Sequence, residues 1–217
     1  MDKPVTATYI PLDMNIPERH LGKGRPREFC VDQALTAALG VFWTKGYEGS
    51  SLSDLTEAMG ITRPSLYAAF GNKEELFRKA LDLYEREKLA YVSEALAAPT
   101  SRGVVERLLT GALENLGGSE CEPRGCLRVI TSMTCGAEAA SVREDLHARR
   151  ASSQAALVAR MAKAVADGDF PAGTDPESIT NYLLAILQGL SVQANSGASH
   201  EQLEDVVRTS LAVWPGR

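Results

Sequence analysis

Thr62, Arg63, Pro64, Ser65 and Tyr67 fall within one short stretch, and Lys73 follows closely. An arginine can bond guanine O6 and N7 together, which is worth ~1–3 kcal/mol of base discrimination. The hydroxyls of Thr62, Ser65 and Tyr67 can donate to phosphates or base edges. A lysine at a helix start can hold a phosphate together with free backbone N–H groups. Ser51 and Ser53 stand upstream, where a flanking backbone would pass, and Arg19, His20, Lys23, Arg25 and Arg27 form a basic run with no acidic residue among them. The chemistry these types support is reading of double-stranded DNA.

The surrounding pattern supplies elements to position them. From Arg27 the residues Phe29, Ala34, Leu35, Ala38, Leu39, Phe42 and Trp43 recur at three and four, a helical period ended by Gly46. Ser51 with Asp54 makes a capping box for a second helix, whose buried stripe is Leu52, Leu55, Ala58 and Met59 and which Gly60 ends. Ile61-Thr62 turns into Arg63-Pro64, where proline suits a first helical turn, and this third helix runs to Phe70. Leu66 and Phe70 face inward. Gly71 breaks the chain, and Asn72 caps a fourth helix running to Ala97. A helix, a glycine turn and a short second helix form a helix-turn-helix, with the start of the second helix offered to a major groove. Such spacing alone is shared with ordinary helical hairpins. The polar cluster, Lys73 and the basic run favour DNA.

Further helices are predicted over 102–116, 126–137, 139–167, 176–196 and 200–213, with Asp175 as a cap and turns at 117–125 and 168–174. The fold class is all-α, with about nine helices and no convincing strand. Residues 1–24, with Pro4, Pro11, Pro17, Gly22 and Gly24, read as a flexible arm, 25–78 as the DNA-binding domain and 79–217 as an effector and dimerisation domain. Charge follows this division: residues 1–80 balance ten Lys/Arg against ten Asp/Glu, and the net −5 lies in the remainder. An acidic whole argues against non-specific coating of nucleic acid but permits a local basic site.

Gly24-Arg25-Pro26-Arg27, Ala38 with Phe42 and Gly46-Tyr47, and the run from Leu55 through Gly60-Ile61-Thr62-Arg63-Pro64-Ser65-Leu66-Tyr67 to Phe70-Gly71-Asn72-Lys73-Glu74-Glu75-Leu76-Phe77 together resemble the DNA-binding domain of TetR/AcrR-type repressors. The resemblance implies an all-helical homodimer in which each protomer binds half of a near-palindromic operator. Arg63, Pro64, Ser65, Tyr67 and Lys73 would then contact DNA, with Thr62 capping the helix. Ser53 stands where the family often has a longer basic or polar side chain. The resemblance further implies that the last two long helices pair across a dimer, here through Leu183, Leu187, Gly189, Leu190 and Leu211. It also implies that a small-molecule effector binds among the middle helices. The candidates there are Leu109, Leu113, Leu116, Cys126, Ile130, Met133, Thr134, Leu157 and Met161, although such apolar stripes are more often plain core.

Pro123-Arg124-Gly125-Cys126-Leu127 opens a helix, where partial positive charge and nearby Arg124 and Arg128 would lower a thiol pKa. This stretch resembles one found in family members in which the cysteine senses electrophiles or oxidants, an alternative route to release, with Cys121 as a possible resolving thiol. A small buried residue is the plainer reading. Glu138 or Arg128 could meet a polar effector. Cys30, Cys121, Cys126 and Cys135 fit no zinc spacing, and His147 beside Arg149 and Arg150 lacks a second ligand at helical spacing. No cofactor, metal site or catalytic constellation is predicted, so an enzyme is not expected. No apolar run approaches the ~20 residues of a membrane helix, and no secretory leader is visible, so a cytoplasmic protein is expected. The sequence thus predicts a regulator, most simply a repressor, released from its operator by a small molecule.

Overall fold

The computed structural model describes residues 30–116, 123–136 and 139–217. Its described residues form ten helices and no strand: α1 (Val31–Gly49), α2 (Leu52–Met59), α3 (Arg63–Phe70), α4 (Lys73–Lys88), α5 (Tyr91–Leu96), α6 (Ser101–Leu116), α7 (Leu127–Thr134), α8 (Ala140–Ala166), α9 (Pro176–Asn195) and α10 (His200–Ala212). The predicted arm 1–24, together with Arg25, Arg27, Cys121 and Glu138, lies outside the described residues. No described helix is long and apolar enough to cross a membrane.

Local chemistry sets the boundaries of the first four helices. Gly46, at φ 70 and ψ 176, ends the regular turn of α1. Ser51 accepts from the Asp54 N–H while the Asp54 carboxylate accepts from the Ser51 N–H, so the capping box satisfies two otherwise orphaned donors of α2. Gly60, at φ 65, turns the chain without a Cβ penalty, and the Thr62 and Asn72 side chains cap α3 and α4. Of the predicted α2 stripe, Leu55 and Met59 are buried, Leu52 is half-buried and Ala58 is exposed. Ala58 lies about 100° round the helix from Met59 and falls on the solvent side of α2.

Two hydrophobic cores result. The first gathers Phe42, Trp43, Leu55, Leu66, Phe70, Phe77, Leu81 and Tyr84, and also Leu127 of α7, Val142 and Leu146 of α8 and Ala139 at its N-cap. Its aromatic rings meet edge to face, Phe42 on Phe77 at 5.1 Å and Trp43 on Tyr84 at 4.9 Å, arrangements favoured by the ring quadrupole. The second core joins α6, α8, α9 and α10 through Val105, Leu109, Met161, Leu183, Leu190 and Leu203.

The fourth helix departs from expectation. It stops at Lys88, and the chain turns through Leu89 and Ala90 before α5 begins. Neither glycine nor proline marks the break; tertiary contacts impose it. Tyr91 packs its ring onto Gly111 of α6, where even a methyl group would collide with it at 2.3 Å. The Arg160 guanidinium donates to the Leu96 and Ala98 carbonyls, satisfying the end of α5 from α8. The helix predicted over 126–137 ends at Thr134, and Glu48 draws the following chain away by accepting from the Gly136 N–H at 2.6 Å.

Candidate nucleic-acid interface and internal cavity

Helix α3 is divided cleanly between two tasks. Leu66 and Phe70 are buried and anchor it, while Thr62, Arg63, Pro64 and Tyr67 are exposed and Ser65 is half-buried. The Thr62 hydroxyl accepts from the Ser65 N–H and pairs with the Ser65 hydroxyl at 3.0 Å, fixing the helix start. Arg63 donates from Nη2 to the Ser53 hydroxyl at 2.9 Å. Ser53 therefore serves as a tether for the neighbouring guanidinium. Tyr67 lies one turn beyond Arg63 on the same face, with 49% of its surface exposed.

The flanking groups are also held. The Ser51 hydroxyl is engaged with Asp54, whose carboxylate bonds Lys45 at 2.6 Å. Lys45 first and Ser51 second hold Asp54 well below the usual carboxylate range. Lys73 sits in the first turn of α4, its ammonium 4.5 Å from the centre of the Tyr47 ring. Burial pushes this ammonium below its ordinary value, with Glu48 opposing. A cation at a helix N-terminus is disfavoured by the helix dipole, and an anion placed there relieves both. Thr62, Arg63, Ser65, Tyr67 and Lys73 thus lie on α3 and the start of α4, with Ser53 joined to them through Arg63.

The segment Pro123–Cys126 ties this unit to the rest of the chain. The buried Trp43 indole N–H donates to the Gly125 carbonyl at 2.8 Å. The Cys126 N–H donates to the Ser191 hydroxyl of α9 at 2.8 Å, and Arg124 donates to the Ala198 carbonyl beyond α9. Gly125 has φ +88, and a Cβ there would stand 2.9 Å from the Ser191 carbonyl oxygen.

A cavity of about 750 Å³ opens among α4 to α9. Four of the nine sequence candidates line it: Leu116, Cys126, Met133 and Leu157. The other five do not. Leu109, Leu113 and Met161 are core residues of the second cluster, Ile130 packs against the first, and Thr134 lies on the exposed end of α7 beside Gly46. Apolar period marks the first four as inward-facing, and close packing consumes that face, whereas Thr134 faces out. The cavity is lined in addition by Tyr84, Glu85, Tyr91, Arg128, His147 and Arg149. Of these, Arg128 is a sequence candidate for polar contact, and His147 with Arg149 is weighed in the sequence only as a metal site. The sequence signal for this wall was the recurrence of Arg143, His147 and Arg150 along one face of α8.

Burial first, then the neighbouring Cys126, pushes the Tyr84 phenol far up. Burial likewise raises Tyr91. Arg149 bonds Asp82 and Glu85, each at 2.7 Å, and Asp145 at 3.3 Å, locking α8 to α4. Burial opposes its charge, but the Asp82 and Glu85 bonds prevail and hold the guanidinium protonated.

The predicted dimer residues separate similarly. Leu183 and Leu190 are fully buried inside the protomer, and Leu187 lines the cavity. Burial within one chain leaves Leu183 and Leu190 unable to face a partner. Gly189 and Leu211 are half-buried, and Gly189 has open space above it. The outward surface of α9 and α10 instead holds a shallow groove lined by Tyr182, Asp205, Val206, Thr209, Ser210 and Val213. Tyr182 and Val213 are 42% and 61% exposed there. Neither was a sequence candidate: Tyr182 lies off the buried stripe of α9, and Val213 follows the end of α10.

Residues 34–80 match the family model described as bacterial regulatory proteins, tetR family, and residues 104–210 match that of the tetracyclin repressor-like C-terminal domain. The HTH-type transcriptional repressor ComR of Escherichia coli is 35% identical over 89% of this chain and 92% of its own length. BdcR, another HTH-type transcriptional repressor of Escherichia coli, is 31% identical over 83% of this chain and 86% of its own. Among solved structures, a cysteine mutant of the TetR family regulator CifR, complexed with 26-bp double-strand operator DNA, superimposes with a TM-score of 0.81. It is 44% identical and covers 88% of this chain and all of its own.

Proposed function

The chain belongs to the TetR family of bacterial regulatory proteins, and from that premise we propose that it represses transcription as a homodimer on an inverted-repeat operator. The observation that carries this reading is the α3 surface, where Arg63 and Tyr67 project while Leu66 and Phe70 anchor the opposite face. Arg63 reads base edges, and Ser51, Ser53, Thr62, Pro64, Ser65, Tyr67 and Lys73 fix the helix against the backbone. Arg25 and Arg27 extend the contact along the operator. Two such helices span half-sites about 34 Å apart, one turn of DNA. The α9–α10 face with Tyr182, Val213, Gly189 and Leu211 supports pairing with a second copy.

A small molecule in the cavity releases the operator. It acts by binding more tightly to the dimer arrangement that no longer fits the half-site spacing; equal affinity for both arrangements would shift nothing. Selection of bound sequences from a random DNA pool tests the reading. An inverted repeat, bound with a steep salt dependence and lost on Arg63→Ala, is expected. Failure to enrich any repeat with the ligand-free dimer overturns repression by the free protein.

The Cys126 thiol, which lines the cavity, favours a second route in which its sulfur adds to the electron-poor carbon of an activated alkene, the C=C pair taking up a proton in place of the one the thiol gives to water. Under that route Cys126→Ser binds operator normally but no longer releases it when treated with an electrophile.

A further inference from the structure

The polar wall of the cavity contains an ion pair whose mutual satisfaction is incomplete. Glu85 is held through Oε2, which accepts from Arg149 Nη1 at 2.7 Å. Its other oxygen, Oε1, is buried and has no hydrogen-bond partner among the described residues. Arg128 Nη1 stands 3.4 Å from that oxygen, near enough for charge attraction but beyond a normal hydrogen bond. The Arg128 guanidinium, 18% exposed, is otherwise 3.4 Å from the Ser153 hydroxyl through each of its terminal nitrogens. One wall of the cavity therefore offers an acceptor and a donor side by side, each wanting a closer partner.

The charges of this wall restrict what can satisfy it. Arg149 is paired with Asp82, Glu85 and Asp145, and Arg128 with Glu85, so neither guanidinium of this wall stands without a carboxylate. An anion at Arg128 would face the Glu85 carboxylate, and a cation at Glu85 would face Arg128. Arg143, half-buried, and Arg150, exposed, add positive charge elsewhere in the lining, and water screens Arg150. A neutral hydroxyl meets both needs through one oxygen, accepting from Arg128 and donating to Glu85. Leu96, Leu108, Leu116, Leu184 and Leu187 line the same cavity and give it an apolar surface suited to a hydrocarbon body.

We propose that Glu85 and Arg128 form a clamp for the hydroxyl of an uncharged, largely apolar alcohol, and that this is the chemical class of the effector. The proposal rests on the reading that the cavity is the effector site. Octanol, octanoate and octylammonium share one tail and differ in head group, so they isolate the clamp. In titration calorimetry on the full chain, octanol is expected to bind at least about tenfold tighter than either ion. Glu85→Gln removes the negative charge and moves the preference toward octanoate. Arg128→Gln removes the positive charge and moves it toward octylammonium. Melting curves and operator binding check that each variant is folded; if one is not, the wild-type ranking and the other variant still decide.

Absence of octanol binding, preference of the wild type for either ion, or an unchanged ranking in the folded variants overturns the clamp. Operator titration in the presence of each probe separates the two readings. Octanol binding with the expected ranking but undiminished operator affinity sustains the clamp and overturns the cavity as effector site. A clamp failure alongside release by another cavity ligand overturns only the alcohol class.

Discussion

Gly125 is the sharpest place to test how the two halves of the molecule are joined. Its φ of +88 lies in the left-handed region, where an L-residue loses about 1–2 kcal/mol. A Cβ would also stand 2.9 Å from the Ser191 carbonyl oxygen, 3.1 Å from Ile130 Cδ1 and 3.2 Å from Asn195 Cβ. The nearest of these is backbone in a regular helix and cannot swing aside, so overpacking adds roughly 1–3 kcal/mol. Gly125→Ala is therefore expected to cost about 2–5 kcal/mol, a large part of the ~5–15 kcal/mol that holds a typical domain together. Gly173 supplies the control, because its φ is +82 but nothing lies within 4 Å of its would-be Cβ. Gly173→Ala should show the backbone cost alone. Thermal melts at one fixed protomer concentration should place Gly125→Ala roughly 2–12 °C below Gly173→Ala. If the two variants melt together, the close approach to Ser191 does not constrain the segment and the reasoning fails.

Further outcomes are expected elsewhere. Arg63→Ala should weaken operator binding by about 1–3 kcal/mol in fluorescence anisotropy while leaving the melting temperature nearly unchanged, since the side chain is exposed. Trp43→Phe keeps an aromatic ring but leaves the Gly125 carbonyl unpaired, so stability should fall by about 1–3 kcal/mol and ligand-induced release should weaken. Asp54 has a folded pKa below its unfolded value, so its contribution is present above the ordinary carboxylate range near ~4 and is lost as pH falls toward the depressed value; Asp54→Asn should flatten that acid limb in melts run from neutral to acidic pH. Val213→Glu, at an exposed position of the α9–α10 face, should yield monomers in sedimentation velocity and a collapse of operator affinity; dimers of unchanged strength would place the interface elsewhere.

Short-range chemistry was the legible part of this molecule. Ser51, Asn72 and Asp175 carry their capping role in their own side chains, and Leu66 and Phe70 reveal their burial by a spacing of one helical turn. Long-range chemistry was hidden. The break after Lys88 has no glycine or proline because α6 and α8 impose it from outside. The Trp43–Gly125 bond joins positions 82 residues apart. Glu85, Arg128 and Arg149 look like solvated charges along their own helices, and only the meeting of α4, α7 and α8 makes them a cavity wall. Leu183 and Leu190 were correctly read as apolar, but periodicity does not say whether the buried side faces the same chain or another.

The first core has a practical bearing on hybrid regulators, in which the reading head of one protein is grafted onto the sensing half of another. Leu127 and Val142 pack in one cluster with Phe42, Trp43 and Tyr84, so the seam between the halves does not run through a single point in the chain. A splice near residue 80 would bring foreign side chains against Trp43 and strip its indole of Gly125. Grafts should transplant α7 and the first turns of α8 with the head they cover, and return to the recipient sequence only beyond Leu146.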